Sequence, residues 1–334
     1  MLATVSRKAY DAARREAAYI NRSNRGRIVV TGPDRATYLQ GLLTNDIVAL
    51  QAGTGCYAAY LTPQGRMITD LLVYELGDAI LLNVPGEVTD ALVSRLDQFV
   101  FTEDVRLGNV TDTFAQYAVI GPGAATAMAT LIQASPELVA ALGAHGNLRA
   151  ALLDHPVIIA RESDTGEPGF DLFLDRTDAA MFEERLQQAG VVQLDEATAD
   201  AIRIEQGVPL FHRDMDEETI PLEAGIEGRA LSLTKGCYVG QEVIIRVLHR
   251  GHGRVARKLV GLLLEGSEAP PAGTTVRSGE REIGRVTSAA LSPALGRPIA
   301  LGYVQRDFVE PGTPVVVGDT PAVVNRLPFV PLSA

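Results

Sequence analysis

The chain has 334 residues, of which 46% are hydrophobic and 21% charged, enough apolar material for two or three hydrophobic cores. Its net charge of -11 opposes polyanions, so direct, sequence-specific nucleic-acid binding is not expected. Two cysteines are too few for a disulfide framework, and no apolar run approaches the roughly 18 residues that span a bilayer. Since the N-terminus also lacks a hydrophobic signal core, we predict a cytoplasmic protein that does not enter a membrane.

Helix and strand signals alternate along most of the chain. The predicted elements are a helix over 7–20, a strand over 27–31, a helix from the turn at 32–34 to Leu43, strands over 68–76 and 79–84, a helix over 88–99, strands over 115–120 and 169–174, and a helix over 178–188. Beyond Arg257, short apolar runs are separated by Gly and Pro, a pattern typical of a small β-barrel. The sequence therefore predicts an α+β protein with a domain boundary near residue 252.

The segment 235–242, Lys-Gly-Cys-Tyr-Val-Gly-Gln-Glu, places a thiol beside a cation and between two glycines. The ammonium of Lys235 would favour the thiolate of Cys237 if the two side chains meet. Gly236 and Gly240 would allow a tight turn or a close approach to a ligand. The alternative is a turn that contains a small, buried and unreactive thiol. The other members of this signature loop that we single out are Tyr238, Gln241 and Glu242.

This segment resembles the signature of the YgfZ proteins, which are folate-binding relatives of the glycine-cleavage T-protein connected with iron-sulfur cluster maturation. The stretches 201–207 and 220–225 resemble the segment that both families place just upstream. Because T-proteins lack the Lys-Gly-Cys element, the chain is identified as a member of the YgfZ branch.

The resemblance implies a three-domain, ring-like fold with two discontinuous α+β domains and a C-terminal β-barrel. The implied domains are a first one from 1–28 and 112–218, a second one from 29–111 and 219–251, and the barrel over 252–334. In this family the central channel binds folate, so the implied ligand is tetrahydrofolate or a one-carbon derivative of it.

Two residues are candidates for holding that ligand. Glu167 lies in Thr-Gly-Glu-Pro-Gly-Phe, which resembles the T-protein motif whose glutamate holds the pterin, and one carboxylate can accept two parallel donors from a pterin ring. Its alternative is a solvated acid in a turn. Arg203 matches the T-protein arginine that contacts the ligand. Its alternative is an ion pair with another surface acid or with Glu205, which would share a face with Arg203 on a strand.

Asp70 is the candidate that separates two activities. It occupies the position of the T-protein aspartate implicated in one-carbon transfer, where a carboxylate could steer protonation at a folate nitrogen. The alternative is an acid that caps a backbone group at the start of a strand.

A local basic group follows the signature loop in an otherwise acidic chain. Its members are Arg246, His249, Arg250, His252, Arg254, Arg257 and Lys258. It could attract a folate polyglutamate tail or the RNA phosphates of a partner, and the alternative is a solvated face. Cys237, His249 and His252 would supply only three zinc ligands in a spacing that fits no familiar finger, so we predict no metal site.

Our leading hypothesis is a tetrahydrofolate-binding, YgfZ-like protein that presents Cys237, beside Lys235, to support maturation or repair of iron-sulfur enzymes. Its partners would be iron-sulfur enzymes or cluster-assembly proteins, and any role in tRNA modification would be indirect. The alternative is a folate-dependent aminomethyl or methyl transferase with Asp70 as the acid-base group and Glu167 and Arg203 as ligand anchors.

Overall fold

Three β-sheets organise the residues that the computed structural model describes, which are 5–249 and 253–332. The helices are α1 (Arg7–Arg15), α2 (Arg35–Leu42), α3 (Thr89–Asp97), α4 (Ala124–Leu131), α5 (Pro136–Ala140), α6 (Ala179–Gln188), α7 (Glu196–Gln206), α8 (Pro221–Ala224), α9 (Glu227–Ala230) and α10 (Gln241–His249). The strands are β1 (Ala18–Asn21), β2 (Gly26–Thr31), β3 (Thr54–Leu61), β4 (Met67–Glu75), β5 (Ala79–Val84), β6 (Arg106–Asn109), β7 (Phe114–Ile120), β8 (Asn147–Leu152), β9 (His155–Ala160), β10 (Gly169–Asp175), β11 (Val192–Gln193), β12 (Arg257–Leu264), β13 (Thr275–Ser278), β14 (Arg281–Ser292), β15 (Arg297–Gln305), β16 (Pro314–Val317) and β17 (Thr320–Asn325).

The first sheet has six strands in the order β11-β1-β7-β10-β9-β8. All its pairings are antiparallel except β1 with β11. One face packs on α4 and α6 through a core that includes Val119, Leu172 and Phe182. The other face packs on α1 and α7 through residues such as Ala118 and Ile202. Burial on both faces explains why β7 and β10 read as nearly continuous apolar runs.

The second sheet has five antiparallel strands in the order β3-β4-β5-β2-β6. Side chains alternate across each strand, so Val73 on β4 faces α2 and α3 while Tyr74 faces away from these helices. Tyr74 meets Phe173 of the first sheet edge to face, with ring centroids 6.1 Å apart. The two sheets therefore share a hydrophobic core, and the segment 22–25 between β1 and β2 lies at their junction.

The third sheet is a closed barrel in the order β12-β15-β14-β13-β16-β17, as the sequence predicts. It docks on α7, where Ile204 packs against Leu259, Leu301 and Phe329. The α+β fold class with a C-terminal barrel is confirmed. The domain limits stay a prediction, and the boundary predicted at residue 252 lies outside the described residues. None of the helices described here is long and apolar enough to cross a membrane.

One predicted element is wrong in its second half. The helix predicted over 7–20 ends at Arg15, and Ala18–Asn21 form β1, which pairs with β7 and β11. Ala18, Tyr19 and Ile20 are all buried, because the strand lies inside the first sheet. Pairing and burial in the sheet override the local helical preference of an Ala-rich segment.

Candidate functional site

A cavity of about 1130 Å³ lies where the two open sheets, α7 and the barrel meet. Its wall includes Arg22 at the sheet junction, Asp70 on β4, Arg203 on α7 and Ser292 on β14. A smaller cavity of about 50 Å³ shares Arg22 and Asp70 with it and reaches further between the two sheets. The larger cavity is ample for a ligand of folate size, while the smaller one admits only a few atoms.

Asp70 lies on the wall of both cavities. The hydroxyl of Tyr57 donates a hydrogen bond to Oδ2 of Asp70 at 2.7 Å. Within residues 5–249 and 253–332, no backbone N–H donates to this side chain, so the capping alternative is not formed. A half-buried carboxylate with one free oxygen at a cavity wall can exchange a proton with a bound ligand.

Asp171, which the sequence analysis missed, is buried on β10 and lines the smaller cavity. Gln116 Nε2 donates to its Oδ2 at 2.9 Å, and Asn83 Nδ2 donates to the same oxygen at 3.4 Å. Burial, together with the nearby charge of Asp164, raises the pKa of Asp171 to about 8. The available signal was an acid inside an otherwise apolar strand, Phe170-Asp171-Leu172.

Two arginines from the link between β1 and β2 were also missed. Arg22 pairs with Asp164 at 2.8 Å and with Glu196 at 2.7 Å, and Arg25 donates through Nε to Asn83 Oδ1 at 2.7 Å. Both line the two cavities. The fold places these two guanidinium groups in the same cavity walls as Asp70, although they are far from it in the sequence.

Glu167 is buried, at 4% exposure, and is not among the residues that line either cavity. It forms an ion pair with Arg14 of α1 and accepts a hydrogen bond from Gln206 Nε2 at 3.2 Å. Burial raises the pKa of Glu167 above its ordinary value. The turn reaches the larger cavity through its neighbour Thr165, so the glutamate is neither a solvated acid nor a wall residue of the cavity.

Arg203 lines the larger cavity, and its ion pairs are with other acids and not with Glu205. The segment is helix α7 and not a strand, so residues two apart do not face each other. Arg203 binds Asp200 at 2.6 Å and Asp214 at 2.7 Å, and it donates to Ser288 of the barrel at 2.7 Å. It therefore ties α7 to the barrel at the edge of the cavity.

Lys235 does not serve Cys237 in this structure. Its ammonium donates to the backbone carbonyls of Gln40 and Leu43 at 2.6 Å each and of Asn45 at 2.8 Å. An ammonium has three N–H donors, so none remains for a thiolate. The carbonyls lie at the C-terminal end of α2, where a cation also interacts favourably with the helix dipole.

The rest of the signature loop is built for packing. Cys237 is exposed and lines neither cavity, while Tyr238 is buried in the core below it. Gly240 has φ +84° and faces the carbonyl of Thr62, which an added Cβ would approach to 2.5 Å. Helix α10 begins immediately afterwards at Gln241, with Glu242 exposed in its first turn and Gly236 in open space.

The basic group around α10 lies mainly in solvent. Arg246, His249, Arg254 and Lys258 are exposed. Arg257 pairs with Glu223 at 3.1 Å and stacks over the ring of Tyr303. Arg250 and His252 lie outside the described residues. In the part of the chain that is described, no group of three or more His, Cys, Asp and Glu side chains could hold a metal ion.

Known proteins resemble this chain along nearly its whole length. The family model of the GCVT N-terminal domain matches residues 2–235, and the model of the glycine cleavage T-protein C-terminal barrel domain matches residues 257–330. The chain is 34% identical to an aminomethyltransferase of Streptomyces avermitilis over 95% of its own length and 87% of the relative. It is 32% identical to an aminomethyltransferase of Corynebacterium jeikeium over 91% and 82%.

The fold also matches a solved structure, that of glycine cleavage system aminomethyltransferase T from Bartonella henselae. The TM-score is 0.87 at 25% identity, with 97% of this chain and 89% of that chain covered.

These matches overturn the predicted membership in the YgfZ branch, which is wrong. The relatives are aminomethyltransferases, and nothing in their names supports iron-sulfur partners or a role in tRNA modification. The YgfZ signature covers only the loop 235–242, whereas the T-protein family models match residues 2–235 and 257–330. In the structure, the lysine of that loop caps a helix.

Proposed function

Because the chain belongs to the glycine cleavage T-protein family, we propose that it is a folate-dependent aminomethyltransferase with tetrahydrofolate as the acceptor. The observation that carries the proposal is the position of Asp70 on a cavity of about 1130 Å³ whose wall includes residues from the second sheet, the loop between β9 and β10, α7 and the barrel. This was the alternative function that the sequence suggested.

The reaction moves one carbon and several protons. The carbon of an S-aminomethyl thioether would bridge two nitrogens of tetrahydrofolate, with release of the thiol and ammonia. The two folate nitrogens lose one proton each, while the leaving sulfur and amine each gain one. A carboxyl group that can take up and return a proton at the reacting atoms lowers the barrier for such an exchange. Asp70 is suited to this role because one of its oxygens accepts no hydrogen bond from the described chain.

The ligand would be held by acids and arginines of the two cavities. A pterin presents parallel N–H donors, and two acceptors are available, namely Asp171 and Oδ1 of Asp164. Asp164 Oδ1 is buried and has no hydrogen-bond partner within the described chain, although it belongs to the wall of both cavities. A buried acceptor without a donor is costly, and a ligand donor would remove that cost. The smaller cavity would admit only the edge of the pterin ring.

The two anchors that the sequence suggested take different parts in this proposal. Arg203 stays a proposed ligand contact, because it lines the larger cavity. Glu167 is proposed to act indirectly, since its ion pair with Arg14 holds the turn that carries Thr165 and Asp164.

Calorimetric titration with tetrahydrofolate tests the proposed pocket. We expect Asp171→Ala and Arg203→Ala each to weaken binding by about tenfold, as the loss of a hydrogen bond to the ligand predicts. Glu167→Ala should lower thermal stability and weaken binding only in proportion to the fraction unfolded. Wild-type protein that binds no tetrahydrofolate, or that releases no ammonia from an S-aminomethyl thioether in its presence, would rule out the proposed function.

A further inference from the structure

Building on the proposed function, we propose that Tyr57 is a positioning residue that fixes the Asp70 carboxylate for one-carbon transfer, and that Asn45 and Lys235 hold Tyr57 in place. The proposal assigns the lysine of the signature loop a part in the site that does not involve the thiol of Cys237.

The sheet itself brings Tyr57 to Asp70. In the antiparallel pairing of β3 with β4, Asp70 lies opposite Ala59, so Tyr57 is its diagonal neighbour on the same face. Tyr57 uses its hydroxyl to donate to Oδ2 of Asp70 at 2.7 Å. With that oxygen engaged, the carboxylate has a defined orientation and Oδ1 is left for the ligand. A charged acceptor makes this bond stronger than one between neutral groups.

The tyrosine is held as a rigid donor. It is buried, at 6% exposure, and the guanidinium of Arg229 lies 4.4 Å from the centre of its ring. Burial and the nearby carboxylate of Asp70 raise the pKa of Tyr57 well above its ordinary value, so the phenol keeps its proton at neutral pH. Both Tyr57 and Arg229 line the smaller cavity, which puts this pair beside the ligand and not in the distant core.

A short chain of hydrogen bonds connects Tyr57 to Lys235. The side-chain amide of Asn45 donates to the carbonyl of Tyr57 at 2.9 Å and to that of Arg229 at 3.1 Å. The carbonyl of Asn45 in turn accepts from Lys235 Nζ at 2.8 Å. Asn45 thus links the backbones of Tyr57 and Arg229, and Lys235 fixes Asn45 to the C-terminal end of α2.

The test compares Tyr57→Phe with Tyr117→Phe. Tyr117 donates to Glu183 Oε1 at 2.8 Å, so its substitution removes the same kind of bond from a place outside both cavities. We expect Tyr57→Phe to lower kcat about tenfold with the tetrahydrofolate Kd changed less than twofold, because one charged hydrogen bond is lost. In the pH profile of kcat, the limb that disappears in Asp70→Asn should lie at higher pH in Tyr57→Phe than in wild type. Tyr117→Phe should move neither kcat nor that limb.

Unchanged kcat and an unchanged pH limb in folded Tyr57→Phe would overturn the proposal. If that variant does not fold, Asn45→Ala replaces it, with a smaller loss of kcat and a smaller displacement of the limb in the same direction expected. If wild-type protein transfers no carbon, the proposed function fails, and the Asp70 carboxyl resonance decides the structural claim. The carbon-13 signal of this carboxyl group is identified by its absence in Asp70→Asn. Its chemical shift should differ between wild type and Tyr57→Phe, and an unchanged chemical shift would reject the contact.

Discussion

The cavity wall around Asp70 and the signature loop 235–242 both carry ionisable side chains. They differ in how many of their hydrogen-bonding groups the folded protein already uses. In the loop, the ammonium of Lys235 donates to three backbone carbonyls, and Cys237 is exposed and lines neither cavity. In the wall, Asp70 and Asp164 each keep an oxygen that no described group satisfies. Chemical availability therefore depends on the hydrogen-bonding capacity that remains after folding, and not on how unusual a segment looks.

The largest effect should come from Asp70→Asn. The amide keeps the shape and can still accept from Tyr57, but it cannot take up or deliver a proton as a carboxyl does. Loss of a general acid-base group costs about 100-fold to 10,000-fold, so kcat should fall within that range while tetrahydrofolate Kd changes little. The rate of ammonia release at saturating tetrahydrofolate measures kcat. A variant that keeps a third of the wild-type kcat would remove Asp70 from the chemistry.

A change in stability is expected from Lys235→Met. Methionine is of similar length but leaves the carbonyls of Gln40, Leu43 and Asn45 without their shared donor. We expect the free energy of unfolding to fall by about 2 kcal/mol, which urea denaturation measures. Lys258→Met, at an exposed position on β12, is the matched control and should change it by less than about 0.5 kcal/mol. Equal effects of the two substitutions would contradict the capping role.

The pH dependence of stability should reveal Asp171. Its pKa is raised to about 8 in the folded protein, against about 3.9 in an unfolded chain. The folded state therefore binds more protons between these values, and the free energy of unfolding falls as pH rises through that window. Asp171→Asn removes the dependence, so the stability of the variant relative to wild type should rise by roughly 2–4 kcal/mol between pH 5 and pH 8.

Urea titrations at pH 5, 6, 7 and 8 measure this difference. The fully exposed Asp112 supplies the control, because Asp112→Asn should follow the wild-type curve at each pH. An Asp171→Asn curve parallel to wild type would mean that the buried acid is already ionised at pH 5.

Local patterns were enough to predict much of the fold. The hairpin of β4 and β5, the strand β7 and the barrel follow from alternation and turn residues. The two failures have one cause. Residues 18–21 and α7 have their conformations fixed by burial in the first sheet and against the barrel, which a local window does not contain.

The site was less accessible to sequence reasoning because it is assembled from distant segments. Asp70 was found through a family position, whereas Asp171 and Arg25 contribute only because two sheets face each other across the junction. Glu167 was chosen for its motif, yet the side chain next to it in space, Arg14, comes from 153 positions earlier in the chain. The local sequence does not show whether a side chain points inward to an ion pair or outward to a cavity.

The smallest effect is predicted for Cys237→Ser, which tests whether the signature loop takes part in the reaction. Cys237 is exposed and lines neither cavity, so the substitution should change kcat and tetrahydrofolate Kd by less than twofold. Alkylation of wild type gives an independent measurement, because Cys56 is buried and its pKa is raised by burial to about 12. Iodoacetamide should therefore modify Cys237 alone and leave ammonia release intact. A loss of activity on both substitution and alkylation would show that the loop closes on the cavity during turnover and that the thiol of Cys237 takes part in the reaction.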